Sequence, residues 1–459
     1  MGRFSFASRR SSPLRRRTQG RDGARPAVVV DEVRPHAEAT SEACLESPVT
    51  GGAQPGFAIA LAGWALGLGA AIRTIEVVAE GSVHARVPVD GARPDVGSAH
   101  PGIPHADRSG FRGAIGALDL PQRFELILEA VVEDGTRSPL WTVRGRREPV
   151  LEPRAHGLRP IVIRCTGRTG STFLTRLLDQ HPQVIVYRPF EYEPRILSYW
   201  IEILRSLADP RAGLTALRPS ATTGLWWLGD GSQPEPLPPE DEPLAEALCR
   251  DDIRAFAAFA RGRIDAFYAT LAAHAGKRAV AFAEKGAIND ARFEPRSRLI
   301  QELYPDAREI LLVRDPRDML CSMLAYDARR GATAFGRSGH DDAQWTQWLG
   351  HVLVEMTRAH RALGERSLLV RYEDLVAEPR EVMRAVFSHL GLDAAADLLE
   401  RVIDRASEEH PAMAAHRTGG DAASDSVGRW RREMPPALRR HADAAFAEVL
   451  SLDGYEVDA

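Results

Sequence analysis

Two stretches of this chain carry residue types at spacings suited to holding phosphate. The first is Ile161-Val-Ile-Arg-Cys-Thr-Gly-Arg-Thr-Gly-Ser-Thr172, an apolar run entering a loop of glycine, hydroxyl and arginine. Phe173, Leu174, Leu177 and Leu178 then recur at helical spacing. A strand–loop–helix of this kind gathers backbone N–H groups and the positive end of a helix dipole about one point, where a phosphate binds. It is not the Gly-x4-Gly-Lys-Ser/Thr loop of a nucleoside triphosphatase, because Gly167 and Gly170 stand too close together and Arg168 precedes the second glycine. The alternative is a glycine-rich turn with no ligand. The second stretch is Glu309-Ile-Leu-Leu-Val-Arg-Asp315, again a buried strand leading into a helix, with Arg314 closing the strand and Ser322 inside the helix. At that spacing a guanidinium and a hydroxyl can converge on another anionic group. Two phosphate sites on neighbouring βα units suggest a nucleotide with two separated phosphates.

The pair resembles the two signatures of sulfotransferases that use 3'-phosphoadenylyl sulfate (PAPS). The resemblance implies that Gly167, Arg168, Thr169, Gly170, Ser171 and Thr172 hold the 5' phosphosulfate, and that Arg314 and Ser322 hold the 3' phosphate. It continues through His181-Pro182, as in tyrosylprotein-type and carbohydrate-type members. Ser367-Leu-Leu-Val-Arg-Tyr-Glu-Asp-Leu-Val376, followed by Pro379, is similar to the family's late strand and helix, and Ser426-Val-Gly-Arg-Trp430 to its C-terminal Gly-basic-Trp element. On that likeness Tyr372 and Arg429 join the nucleotide-binding set. Residues 158 to 455 are covered.

Transfer of a sulfuryl group requires a proton acceptor for the attacking hydroxyl, a cation for the charge growing on the leaving phosphate oxygen, and in-line placement of the two reactants. No metal-ligand spacing is visible, so a lysine or arginine is the expected cation, and no metal is expected beside the PAPS donor. Of the 59 basic residues only Lys277 and Lys285 are lysines. In a chain that uses arginine by default, as a GC-rich genome would encode, a lysine beside apolar residues suggests a need for a compact ammonium. Lys285 closes the strand-like run Ala279-Val-Ala-Phe-Ala-Glu-Lys285, and the resemblance implies a catalytic lysine at the end of a central strand. Lys277, in a Gly-Lys-Arg turn, reads as solvated. Arg168 is the second candidate cation. For the base the resemblance implies a glutamate after the first helix, where Glu191 fits first and Glu193 second. His181 reads as the end of the helix and ranks third.

These groups need a scaffold. Beyond residue 160 the alternation of apolar strands with helical patterns implies α/β architecture: a mostly parallel sheet with helices on both faces, the P-loop sulfotransferase-like form. Ahead of it, residues 56–148 alternate with period two and predict a small all-β, sandwich-like accessory domain, either an acceptor-binding module or a structural platform. Residues 149–159 read as a Pro/Arg-rich linker. Residues 1–55 read as a disordered basic arm, with eight arginines and one acidic residue in the first 25. The apolar run over 57–72 predicts two strands joined by a glycine-rich connection. A type II membrane anchor is the lesser alternative, so membrane contact is open but a span is not expected. Trp226 and Trp227, ahead of an acidic Pro-rich insert at 230–243, are candidates for an acceptor cleft or for the core.

The net charge of −4 excludes bulk attraction to nucleic acid. Four cysteines with neither CxxC nor metal spacing suit a reducing compartment, so a cytoplasmic location is expected. The activity expected is sulfuryl transfer from PAPS to a hydroxyl on a carbohydrate or lipid-linked glycan. A tyrosyl-protein or small phenol acceptor stays open. Readings from other classes are a P-loop kinase or NTPase, which would lack its loop lysine, and a non-catalytic nucleotide-binding protein.

Overall fold

The computed structural model describes residues 26–36, 41–54, 56–67, 69–152, 157–189, 192–193, 195–208, 242–287, 293–331, 335, 341–407, 418 and 423–456. Glu191, Trp226, Trp227 and the insert at 230–241 lie outside the described residues, as do residues 1–25 of the expected basic arm.

Strands begin well before residue 56. They are β1 (Val28–Pro35), β2 (Ser41–Ser47), β3 (Ala53–Gln54), β4 (Ala58–Gly67), β5 (Ile72–Ala79), β6 (Ser82–Gly91), β7 (Gly110–Gly116), β8 (Arg123–Val132) and β9 (Arg137–Arg147), with the short helix α1 (Pro94–Ala99) after β6. The first three fall inside the stretch expected to be a disordered arm to residue 55, which corrects that expectation. The arginines of the first 25 residues dominate the composition of that stretch and conceal the run Val28-Val29-Val30, whose outer members are fully buried.

The nine strands form one antiparallel sheet in the order β2-β4-β7-β6-β5-β8-β9-β1-β3. The expected sandwich is therefore a single sheet that curls on itself. Strand β6 turns the corner: Ser82–Pro88 pair with β5, and Val89 and Gly91 pair with β7. The inward faces meet in one cluster that takes Val28 and Val30 from β1, Ile59 and Leu61 from β4, and Leu126 and Leu128 from β8. The apolar run at 57–72 supplies β4, which lies between β2 and β7. That strand continues through Gly63-Trp64. Gly63 is required there because a Cβ would lie 2.2 Å from the carbonyl oxygen of Cys44 on β2. Among the described residues no helix is long and apolar enough to cross a membrane.

The second unit holds the expected parallel sheet. Its strands are β10 (Arg159–Cys165), β11 (Val184–Val186), β12 (Ala281–Ala287), β13 (Arg308–Val313) and β14 (Ser367–Arg371), in the order β11-β12-β10-β13-β14. Its helices are α2 (Ser171–Gln180), α3 (Ile196–Ala208), α4 (Glu242–His274), α5 (Phe293–Leu303), α6 (Pro316–Arg330), α7 (Asp342–Leu363), α8 (Tyr372–Ala377), α9 (Pro379–His389) and α10 (Ala396–Ser407), followed by a short helix Trp430–Glu433 and a long one Pro436–Asp453. Strand residues alternate between the faces. Ile161, Ile163, Ala283 and Ile310 pack with Leu174, Leu177 and Leu178 of α2 and with α9 and α10. On the opposite face, Val162 and Phe282 pack with α3, α4 and α5, and Leu311 and Val313 with α6, α7 and the last helix.

The expected linker at 149–159 is partly built into this packing. Val150 is buried with Ala27, Phe57 and Leu118 of the first unit against Leu204, Ile264 and Leu303 of the second. Its N–H donates to Glu302 of α5 at 2.9 Å, and the other carboxylate oxygen pairs with Arg147 of β9 at 2.6 Å. Both side chains of that ion pair are buried.

Candidate active site

The loop after β10 is shaped by one glycine and one arginine in left-handed conformation. Gly170 has φ +92° and caps α2; a Cβ there would lie 2.2 Å from the ring of Tyr372. Only glycine meets both demands. Arg168 has φ +68°, an uncommon setting for a residue with a side chain. The Thr169 hydroxyl donates to the Thr166 carbonyl at 3.0 Å and tightens the turn. Ser171 and Thr172 open α2, so their N–H groups belong to the helix end that has no intrahelical acceptors.

The second unit of chemistry meets the first. Arg168 Nε donates to Ser322 Oγ at 3.0 Å, its Nη2 reaches Thr418 Oγ1 at 3.4 Å, and its guanidinium lies 5.1 Å over the Tyr326 ring. Arg314 donates to the Arg168 carbonyl at 3.0 Å and to the carbonyl of Ser426, and it stacks 4.8 Å over the ring of Tyr372. The Tyr372 hydroxyl is 3.2 Å from Ser426 Oγ. Arg429 donates to Thr418 at Oγ1 and at its carbonyl, both 3.2 Å, and pairs with Glu433. Arg168, Arg314, Ser322, Tyr372 and Arg429 thus form one connected group. Arg314 and Ser322 do not bond each other, and Arg168 stands between them.

This placement bears on Arg168, which the sequence suggested as a partner of Lys285 at the leaving oxygen. Its guanidinium contacts Ser322 and Thr418, reached across β13, whereas Lys285 stands on β12, on the other side of β10. Loop position alone does not set the direction of so long a side chain.

Lys285 is paired in register with Ile163, just before the loop. Its Nζ donates to Thr172 Oγ1 at 2.9 Å and lies 3.6 Å from Glu193 Oε1, and the side chain is 1% exposed. The other oxygen of Glu193 takes a 2.7 Å bond from Arg195. Lys285 also lies 5.9 Å from the centre of the Tyr192 ring. An ammonium is therefore held at the first turn of α2, facing a carboxylate on the segment that leads into α3. The sequence ranked Glu193 second as the base; Glu191 lies outside the described residues.

His181 is the end of α2, as its position implied. Its buried ring packs edge-on to Phe387 at 4.7 Å, lies 3.1 Å from the carbonyl of Asp393 and accepts from Gln183 N at 3.1 Å. Burial holds its pKa below the usual histidine value. Lys277 departs from expectation. Its Nζ is caged by the carbonyls of Asp179, His181 and Val184 and by the Asp179 carboxylate, so it caps the C-terminal end of α2. Burial lowers its pKa while Asp179 opposes that shift. Both lysines of the chain sit in specific polar cages.

Three participants escaped the sequence. Thr418 links Arg168, Ser322 and Arg429. Asp318 accepts from Gly428 N at 2.6 Å and Trp430 N at 2.9 Å, binding the C-terminal element to α6. Glu284 is fully buried and holds the start of α3. Only Asp318 carried a signal, as the second acid of Arg314-Asp-Pro-Arg-Asp318.

The family model described as "Sulfotransferase family" matches residues 160–397, more than half of the chain and all of the parallel sheet but Arg159. The chain belongs to the sulfotransferase family. Among curated relatives, human carbohydrate sulfotransferase 6 is 26% identical over 378 residues, covering 74% of this chain and 88% of the relative. Carbohydrate sulfotransferase 3 from Mus musculus is 22% identical over 343 residues, covering 68% and 71%. Among solved structures, the sulfotransferase domain of the Synechococcus PCC 7002 olefin synthase aligns with TM-score 0.39 and 21% identity, covering 67% of this chain and 99% of that domain. Mouse sulfotransferase SULT7A1 complexed with PAP aligns with TM-score 0.35 and 13% identity, covering 66% and 90%. As a sulfotransferase the protein is an enzyme that moves a sulfuryl group to an acceptor.

Proposed function

We propose that this sulfotransferase takes its sulfuryl group from PAPS and passes it to a hydroxyl of a carbohydrate. The observation that carries the reading is the Lys285 ammonium on Thr172 Oγ1 at the first turn of α2, beside a loop shaped for phosphate. The described residues fit such a donor. Thr166 Oγ1 and Arg314 Nε are buried with no hydrogen-bond partner, which suits a further acceptor arriving between the loop and β13.

PAPS supplies a sulfuryl group on a phosphate leaving group; the chain's residues do the rest. The helix end at Gly170–Thr172 receives the 5' end of the donor, and Lys285 balances charge on its leaving oxygen. Arg314, Ser322 and Arg168 receive the 3' phosphate, with Tyr372 and Arg429 holding the surrounding frame. We assign the base to the segment of Glu191 and Glu193, whose described member already faces Lys285. The carbohydrate acceptor rests on the names of the relatives. The unpaired buried thiols of Cys165 and Cys321 suit a reducing compartment, and we assign the enzyme to the cytoplasm.

The test is incubation with radiolabelled PAPS and parallel panels of saccharides, tyrosyl peptides and phenols. Label entering saccharides is expected, and label confined to peptides or phenols overturns the acceptor. Adenosine 3',5'-bisphosphate should raise the melting temperature without added metal. Stabilisation by ATP-magnesium alone would return the kinase reading.

A further inference from the structure

Consecutive residues of β12 hold the two ends of one short segment. Lys285 points to the α2 face of the sheet and meets Glu193. Glu284 points to the other face and meets the start of α3. Glu284 Oε2 accepts from Leu197 N at 2.8 Å and from the Tyr268 hydroxyl at 2.7 Å; Oε1 accepts from Ser198 N at 3.1 Å and from Ser198 Oγ at 3.2 Å. The four donors surround a carboxylate that is 2% exposed. The helix it caps follows directly on the segment carrying Tyr192 and Glu193.

The far half of α3 is gripped by the first unit. Arg205 makes a two-pronged pair with Asp119, in the loop between β7 and β8, at 2.6 and 2.7 Å, and its side chain is 5% exposed. Leu204 and Ala208 pack with Phe57 and Leu118. Glu202 adds a pair with Arg296 of α5 at 2.7 Å.

We propose that Glu284 is a positioning residue for sulfuryl transfer: by anchoring the start of α3 it sets the Tyr192–Glu193 segment against Lys285, and the β-sheet unit, through Asp119, braces the other end of the same helix. This rests on the reading of Lys285 and the glutamate segment as the reacting centre. It gives the N-terminal sheet a role in placing the acceptor side of the site. A glutamine at 284 would keep the shape but turn an NH2 group toward donors that need an acceptor, so the helix start would shift. Misplacement of about 1 Å at a reacting centre costs on the order of 100-fold in rate.

The test uses the full chain and three measurements on Glu284→Gln. Binding of adenosine 3',5'-bisphosphate by calorimetry should stay within about twofold of wild type, because the loop and Arg314 are untouched. Turnover with radiolabelled PAPS, on the saccharide that wild type labels best, should fall about 10- to 100-fold. Hydrogen exchange should quicken in the peptide spanning 192–200 and stay unchanged over 166–174. Wild-type turnover with wild-type exchange at 192–200 overturns the proposal, as does wild-type turnover accompanied only by a lower melting temperature. Should Glu284→Gln fail to fold, Ser198→Ala removes one donor and keeps the carboxylate. It should reproduce the faster exchange with a smaller loss of turnover, and unchanged values for both overturn the proposal. Asp119→Asn should likewise lower turnover without weakening donor binding. Full activity of Lys285→Ala would instead sink the assignment of the reacting centre. An inactive Lys285→Ala with a normal Glu284→Gln leaves that assignment standing and removes only the positioning role.

Discussion

Arg144 of β9 pairs with Glu32 and Glu125 on the outer face of the nine-stranded sheet, and all three side chains are nearly half exposed. Arg164 of β10 pairs with Glu309 on the neighbouring β13, and both side chains are 2% exposed. Arg73–Glu133 and Arg146–Asp31 follow the first pattern; Lys285, Arg317 and Asp318 follow the second. Most charges of the first unit decorate a sheet whose core is apolar. The second unit carries charges inside: Arg164 and Lys285 toward the C-terminal ends of β10 and β12, Glu309 near the start of β13, and Arg317 and Asp318 in the first turn of α6. Buried charges raise the stakes of every pairing, because a lone one is costly in the interior and an exposed one is screened by water. Lys285, Arg314, Arg317, Asp318 and Arg429 are buried around the candidate site, whereas Arg147, Arg205 and Glu302 are buried where the two units meet.

The contrast can be broken by substitution. The largest effect is expected at the reacting centre. Removing the proton acceptor, by Glu191→Gln or Glu193→Gln, should lower turnover by about two to four orders of magnitude and leave donor binding nearly intact. Kinetics of the two variants with labelled PAPS decide which is the base, and full activity in both discards a carboxylate base. Lys285→Ala should lower turnover by roughly two to three orders of magnitude. Lys285→Arg should rescue it only in part, since a planar guanidinium does not fit a cage built on Thr172 Oγ1. Equal activity of the arginine form would remove the meaning attached to lysine in this arginine-rich chain.

Next in size is a loss of stability. Arg164→Ala would leave Glu309 buried without its partner and should destabilise the fold by about 3–5 kcal/mol, read from denaturant midpoints. Arg314→Ala should weaken binding of adenosine 3',5'-bisphosphate by about 1.5–3 kcal/mol by calorimetry; an unchanged affinity would move the 3' phosphate elsewhere. The smallest effect belongs to the outer sheet. Arg144→Ala should cost about 1 kcal/mol or less and become smaller still in high salt. A loss there as large as at Arg164 would erase the distinction between the two units.

Several elements were legible in residue order alone. The strand–loop–helix over 159–180, the strand leading to Arg314 and the strand carrying Lys285 are local patterns, since a strand, a turn and the first helical turn are written by near neighbours in sequence. The two faces of the parallel sheet followed from continuous apolar strands. Other elements were not legible. Strand β1 looked like part of a basic arm because its longer pairing, with β9, is to residues more than a hundred positions away in the chain, and pairing at that distance leaves no local mark. The corner at β6 depends on two partners, neither of which the strand itself names.

Side-chain direction and long-range company were settled by tertiary structure. Sequence placed Arg168 in the loop, but only packing of β13, α6 and the C-terminal element turns it toward Ser322 and Thr418. Sequence made Lys277 look solvated, but the fold brings the carbonyls of Asp179, His181 and Val184 to it. Glu284 and Lys285 are adjacent in sequence, yet strand alternation sends them to opposite faces, one to the start of α3 and the other to Thr172 and Glu193. Residue types determined what chemistry this protein could do; the crossing of distant strands and helices decided which charges meet, because burial and pairing belong to the folded chain as a whole.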